Sequence, residues 1–388
     1  MSIEQITRFV EDDRPRFLEQ WQQIALVPAP AGAESDRAEL IARFARDAGA
    51  DQVEIDRVGN VVATIDGSGD RDITFLATMD DLDSVAAHRR ATDRIEVTGE
   101  RLVGPCSQTT SSDATGLGLI RFAAHGERRF RRLTVAFVLG EETGLTGVRA
   151  LCEDRAERLG WVIDLMGGVG TISWNAIGFD GVHVEFRAEP KHSLYGGVSE
   201  VSDAIARFVT AVHADVPRSV GPEPSGPLDE ITGPVTVRRV NRISAGEVFN
   251  HSPQVGTVGV DVRSTDPAIL RELGRSTRAL AESVAAEAGV FVTCHDDVQQ
   301  PAALLPGGVD HPLVQAAAQA VREAGAELVL RPWSSSNINV AYEAGLEGIV
   351  HDDPGRGGGR GTAEEWTDIA AVLAGFAADC RMLELVAA

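Results

Sequence analysis

The chain reads as an α/β protein of two domains, a mostly parallel-sheet domain made from both ends of the sequence and a smaller domain inserted between them. Three observations carry that reading. Short, almost wholly apolar runs such as "DITFLATMD" and "RLTVAFVLG" alternate with amphipathic segments, the pattern of strands covered on both faces by helices. After about residue 178 the order becomes strand, helix, strand, strand, helix, strand, the ferredoxin-like βαββαβ unit that closes on itself. From about residue 301 the first style resumes. The expected boundaries are therefore 1–178 with 301–388 for the sheet domain and 179–300 for the insert. A length of 388 residues is more than one core usually serves, and either part is long enough to bury its own.

In chain order, "RPRFLEQWQQIALV" and "ESDRAELIARFARDAGA" have apolar residues at helical spacing, the second closing on a glycine-containing stop. "NVVATIDG", "DITFLATMD" and "RLTVAFVLG" predict strands, and "DATGLGLIRFAAHGE" a helix between the last two. In the insert, "GVHVEFRAE", "GPVTVRRVN", "VGTVGVDVR" and "VFVTCHDD" predict strands. "VSEVSDAIARFVTAVH" and "AILRELGRSTRALAESVAAEAG" are the helices between them. The C-terminal part adds the helix "HPLVQAAAQAVREAG" and the short strand "LEGIVHD". No repeat is present, and the one low-complexity stretch is "GRGGGRG".

Composition narrows the partners. Hydrophobic residues make up 43% and charged residues 24%, as in ordinary globular proteins. With 36 Lys and Arg against 58 Asp and Glu, the net charge of −22 repels phosphate backbones and anionic lipid. Nucleic acid and membranes are accordingly not expected as partners. The first residues mix acids and bases and have no apolar signal core. Cys106, Cys152, Cys294 and Cys380 are scattered without metal-type spacing, which fits reduced thiols in a cytoplasmic protein.

Open parallel sheets bind ligands beyond the carboxyl ends of their strands. Four such places carry acids or hydroxyls: Asp80 and Asp81 after "FLATM", Ser111, Ser112 and Asp113 before a helix, Glu141 and Glu142 after "VAFVLG", and Asp164 after "LGWVI". One acid at a strand end is commonly a cap or a solvated loop residue. Four places together point to a site.

At these residues the sequence resembles the dizinc exopeptidase and aminoacylase family typified by tripeptidase T, carboxypeptidase G and aminoacylase. The resemblance runs over nearly the whole chain and is most specific in "EETGLTGVRAL". It implies an inserted domain that acts as lid and dimerisation surface, hence a homodimer through residues 179–300. It also implies that Glu141 stands where the family has its water-activating base, and that Glu142 and, in "VIDLMGGVG", Asp164 stand at zinc-ligand positions. "KHSLYGGVSEVSDAI" matches the lid stretch whose histidine helps hold an oxyanion, commonly in the partner's site, which is His192 here. "SAGEVFNHSPQVGTVGVDVRS" points to Asn250 as a substrate contact, with Arg263 as a structural match.

The departures are as informative. The family's His-x-Asp becomes "TMD", with Thr78 for the imidazole and Asp80 retained. Its Asp-Asp-x-x-Gly becomes "SDATG", with Ser112 at the bridging acid and Asp113 retained. Gly361 replaces the last histidine in "RGTAEEW", which keeps Thr362 and Glu365, and Asn337 replaces an acid in "SSSNIN". Both imidazoles and the bridge are gone. Catalytic zinc ordinarily has three protein ligands with imidazole or thiolate among them, so no cofactor is expected. A hard cation such as Mg²⁺ or Ca²⁺ held at Glu142 and Asp164 stays open, since those ions accept oxygen ligands alone, with His351 in "IVHDDPG" as a displaced ligand.

Without a dication, Asp80, Asp113, Glu141, Glu142 and Asp164 would crowd one cleft and hold some protons near neutrality. That suits Glu141 to moving a proton. Arg356 or Arg360, in the glycine-rich loop, could replace the lost positive charge and, with Asn337 and Asp113, contact substrate. A Ser112 and His192 pair, or the thiol of Cys106, would be an alternative nucleophile, though neither has the strained elbow that marks one. Three readings follow. The first is a metal-independent enzyme on an amide-bearing, amino-acid-like or short peptidic small molecule, with Glu141, His192, Asn250, Asp80 and Ser112 as its catalytic set. The second is a non-catalytic binding or regulatory relative. The third is a metallopeptidase or amidohydrolase with rearranged ligands.

Overall fold

The computed structural model describes residues 1–81, 94–166, 170–195, 197, 199–214, 235–352 and 357–387, excepting the side chains of residues 297 and 298. The chain divides into two compact units, Met1–Asn175 with Leu304–Ala388, and Ala176–Ala303. In chain order the main elements are α1 (Ile3–Leu26), α2 (Ser35–Asp47), β1 (Gln52–Ile55), β2 (Val61–Asp66), β3 (Asp72–Thr78), α3 (Thr110–His125), β4 (Arg132–Val138), α4 (Thr146–Arg155), β5 (Trp161–Leu165) and β6 (Thr171–Ser173). The second unit holds β7 (Gly178–Arg187), α5 (Glu200–Ala214), β8 (Thr236–Ala245), β9 (Val255–Ser264), α6 (Pro267–Ala288) and β10 (Phe291–Gln300). The first unit resumes with α7 (Pro312–Glu323), β11 (Val329–Arg331), α8 (Ile338–Glu343), β12 (Gly348–Asp352) and α9 (Ile369–Val386).

The first unit is built on one eight-stranded sheet in the order β1-β2-β4-β3-β5-β12-β6-β11. Its centre is parallel: β3 pairs in parallel with β4 on one side and β5 on the other, and β5 with β12. Every residue of β3 is buried, so no alternation survives in that strand. The chain leaves β3 through α3 to β4 on one flank and then crosses through α4 to β5 on the other. That reversal opens a crevice at the carboxyl ends of β3 and β4.

The first helix begins well before the expected one. Ser2 and Gln5 form a reciprocal capping box, and Ile6, Val10, Phe17, Trp21 and Ile24 share the buried face. Pro15 lies inside this helix rather than at its start; a proline is more usual at a first turn, which is why the sequence suggested a later beginning. A second correction concerns β1, which the sequence reading did not predict. Its four residues are mostly exposed, so they carry no apolar signal.

The second unit is a four-stranded sheet in the order β8-β9-β7-β10 with every pair antiparallel, the arrangement of the ferredoxin-like split unit. Residues along β9 alternate between intermediate and buried. Val258, Val260 and Val262 meet Val182, Val184 and Phe186 of β7 and Phe208 of α5 in a core of its own. Among the described residues no helix is long and apolar enough to cross a membrane.

Candidate active site

The glutamate pair sits on a turn held at both ends. β4 stops at Val138, and Gly140 takes a left-handed conformation, φ 65°. A Cβ there would lie 2.2 Å from the Thr146 hydroxyl, so glycine is required twice over. The carboxylate of Asp80, two residues beyond β3, accepts hydrogen bonds from the backbone N–H of Glu141 at 2.9 Å and of Glu142 at 3.0 Å. Asn60, fully buried after the β1–β2 turn, accepts from Leu139 N–H at 3.2 Å and donates to the Gly147 carbonyl at 2.9 Å. Two side chains thus fix the four backbone positions around the pair.

The acids that gather here are all held above their ordinary range. Burial pushes the Glu141 carboxyl up to about 8, with Glu142, Asp164 and Asp80 adding repulsion and Arg360 opposing. Glu142 is raised by burial against the pull of Arg360, whose guanidinium lies 3.7 Å away. Asp164 rises to about 6 through burial, with hydrogen bonds from Ser336 and Asn337 opposing. Asp80 is raised by burial despite the two N–H donors. Asp113 is raised well above the usual carboxylate range by burial, partly offset by Arg37, and neither of its oxygens has a partner among the described residues. Arg37 itself is spent on Asp81, with nitrogen–oxygen distances of 2.7 and 2.9 Å, and on the Met79 carbonyl.

Two sequence placements are corrected. Asp164 lies within β5, not after it. Ser111, Ser112 and Asp113 belong to the first turn of α3 rather than preceding it. There the Ser112 hydroxyl donates to the Thr109 carbonyl at 2.9 Å, a bond within its own turn that capping-type residues favour.

The pair of zinc ions carried by the resembled family does not fit these residues. Among the described residues no group of three or more His, Cys, Asp or Glu side chains could hold a metal ion. Asn337 donates its side-chain N–H to Thr78 Oγ1 at 3.1 Å and to Asp164 Oδ1 at 3.3 Å. The Asn337 amide thus occupies one oxygen of Asp164, while Oδ2 is buried with no partner among the described residues. His351 does not supply a displaced ligand: its Nδ1 is 2.6 Å from Asp379 and its Nε2 accepts from Gly170 N–H at 3.3 Å, so both ring nitrogens are engaged.

The remaining expected residues are distributed as follows. Arg360 joins the acids, and its loop is anchored by Glu365, which accepts from the N–H of Gln108 at 2.8 Å and of Gly361 at 3.0 Å. Arg356 lies outside the described residues. His192 and Asn250 belong to the second unit, where Ser193 N–H donates to the Asn250 carbonyl at 3.0 Å and the His192 and His251 rings stand 4.7 Å apart. Arg263, in the same unit, pairs with Asp261 and lies over the Phe179 ring. Cys106 is buried with φ 67°. The sequence reading missed Asn60 and Arg37. "DRVGN" announces a turn, but no local signal says that its asparagine reaches the Glu141 segment.

No protein-family model matches the chain, and no curated protein matches it. Solved structures do. Aminopeptidase PepT from Bacillus cereus superposes with a TM-score of 0.73 at 19% identity, covering 96% of this chain and 99% of that one. A tripeptidase from Staphylococcus aureus gives 0.75 at 16%, covering 96% and 98%. The Bacillus subtilis YXEP protein, described as a dinuclear metal binding peptidase of the M20 family, gives 0.70 at 15%, covering 97% and 99%. The chain therefore has the M20 peptidase fold over nearly its full length. At these identities the likeness is one of fold.

Proposed function

We propose that this chain is a metal-independent enzyme on the peptidase scaffold, acting on an amide-bearing, amino-acid-like or short peptidic small molecule, with Glu141 moving the proton. The observation that carries the reading is the clamp on the Glu141–Glu142 turn. Asp80 binds both backbone amides, which directs the side chain of Glu141 without any metal ligand to orient it. A group poised near neutrality is suited to take a proton in one step and return it in the next. Arg360 is the cation that opposes the charge of Glu141 and Glu142, and the excess of acids favours a neutral or amine-bearing substrate over an anionic one. The reaction is a hydrolysis without metal, or a cyclisation, acyl transfer, elimination or condensation that needs the same proton movement. His192 and Asn250 of the insert, a homodimer formed through it and a cytoplasmic setting complete the proposal; the resemblance supports the first three.

The test is Glu141→Gln, which keeps the shape and removes the titrating oxygen. Turnover of amide-bearing substrates, screened as amino-acid conjugates and short peptides, is expected to fall at least about a hundredfold, the usual scale of a lost general acid or base. Activity should survive dialysis against chelator. Turnover unchanged in the variant, or lost on chelation and restored by a divalent ion, would overturn the reading.

A further inference from the structure

We propose that a cleft beside the far end of α4 binds a small polar metabolite bearing a carboxylate or phosphate. The cleft, about 460 Å³, lies over the sheet face of β1, β2 and β4, with Thr64 and Thr134 on its floor and Asp154, Arg155 and Arg158 along its wall. That volume is in the range of small-ligand sites, roughly 300–1,000 Å³. None of the acids around Glu141 lines it.

Its charges are unequal once existing pairs are assigned. Glu54 and Asp154 are the lining carboxylates, and both are engaged, Glu54 by Arg155 and Asp154 by Arg57 at 3.1 Å. Of the lining guanidiniums, Arg132 pairs with Asp66 outside the cleft at 2.8 Å. Arg158 is held only loosely, 3.8 Å from Glu157, with most of its side chain exposed. The Nε of Arg155 is buried with no partner among the described residues. Donors are therefore in excess: one loosely held guanidinium and two threonines line the same space, where both carboxylates are already engaged. Guanidinium forks match carboxylate and phosphate oxygens, and hydroxyls beneath them would meet hydroxyl or amide groups on the same ligand. On a chain of net charge −22 this is a local reversal of sign, which concentrates small anions at one place.

The experiment titrates inorganic phosphate and citrate separately into the full chain at constant ionic strength, by calorimetry and thermal shift, with Arg158→Gln and Thr134→Val alongside. Saturable binding of either anion is expected, weakened about tenfold in Arg158→Gln, the scale of one charged hydrogen bond. The anion that binds identifies the oxyanion. Arg158 is exposed, so its variant should fold normally, and Glu141→Gln should bind as well as the parent chain. Absence of saturable binding by both anions, or equal binding in the parent and Arg158→Gln, would overturn the proposal.

Discussion

At the scale of single residues, the candidate site is a matter of where protons rest. Glu141 and Asp164 bind theirs more tightly in the folded chain than in the unfolded one, because burial penalises the charged form. The sign follows from linkage: their contribution to stability is complete below the ordinary carboxyl range and is lost as pH rises through about 6 for Asp164 and about 8 for Glu141. Melting temperature should therefore fall between about pH 5 and pH 8.5, and Glu141→Gln should flatten the upper part of that fall. A pH series of thermal melts on both proteins checks this; identical profiles would show that Glu141 does not titrate in the window. Glu141 and Asp164 were legible in the sequence as acids at the ends of apolar runs, and Asp113 as an acid near the start of a helix. The bond from Asn337 to Thr78 and Asp164 was not, because it joins residues 259 and 173 positions apart.

At the scale of elements, the turn between β4 and α4 is governed by the turn between β1 and β2. Asp56 Oδ1 accepts from the N–H of Val58, Gly59 and Asn60, each at 3.0 Å, and so shapes the turn that presents Asn60. Asn60→Ala would leave Leu139 N–H and the Gly147 carbonyl without that partner, at a cost of roughly 1–3 kcal/mol for each buried group left unpaired. Denaturant melts should show that loss, and turnover should drop further than stability does because the Glu141 segment loosens. A fall in stability with turnover intact would confine Asn60 to a structural role. Sequence periodicity shows that β2 and β4 are strands; it cannot show that an eight-stranded sheet sets them side by side, which is what brings Asn60 to Leu139.

At the scale of the whole molecule, the chain carries two cores, and each is made from its own residues. Residues 176–303 form a compact unit with a four-stranded antiparallel sheet and a core of its own, so this segment expressed alone should fold cooperatively. Circular dichroism and a single sharp thermal transition would support that, and a disordered spectrum would refute it. The sequence by itself determined the fold class: apolar runs fully buried between helices need neighbours on both faces, and a βαββαβ order has a closed solution of its own. It also put Thr78 and Gly361 at the two positions where the resembled family carries imidazoles, since residue identity requires no coordinates. Tertiary structure alone decided what stands in their place. Asn337, Thr78 and Asp164 meet only because β3, β5 and the entry to α8 converge, and the same folding sets Asp80 under the Glu141–Glu142 amides. Hydrogen bonds and desolvation depend on distance in space, and that distance is fixed only when the sheet has formed.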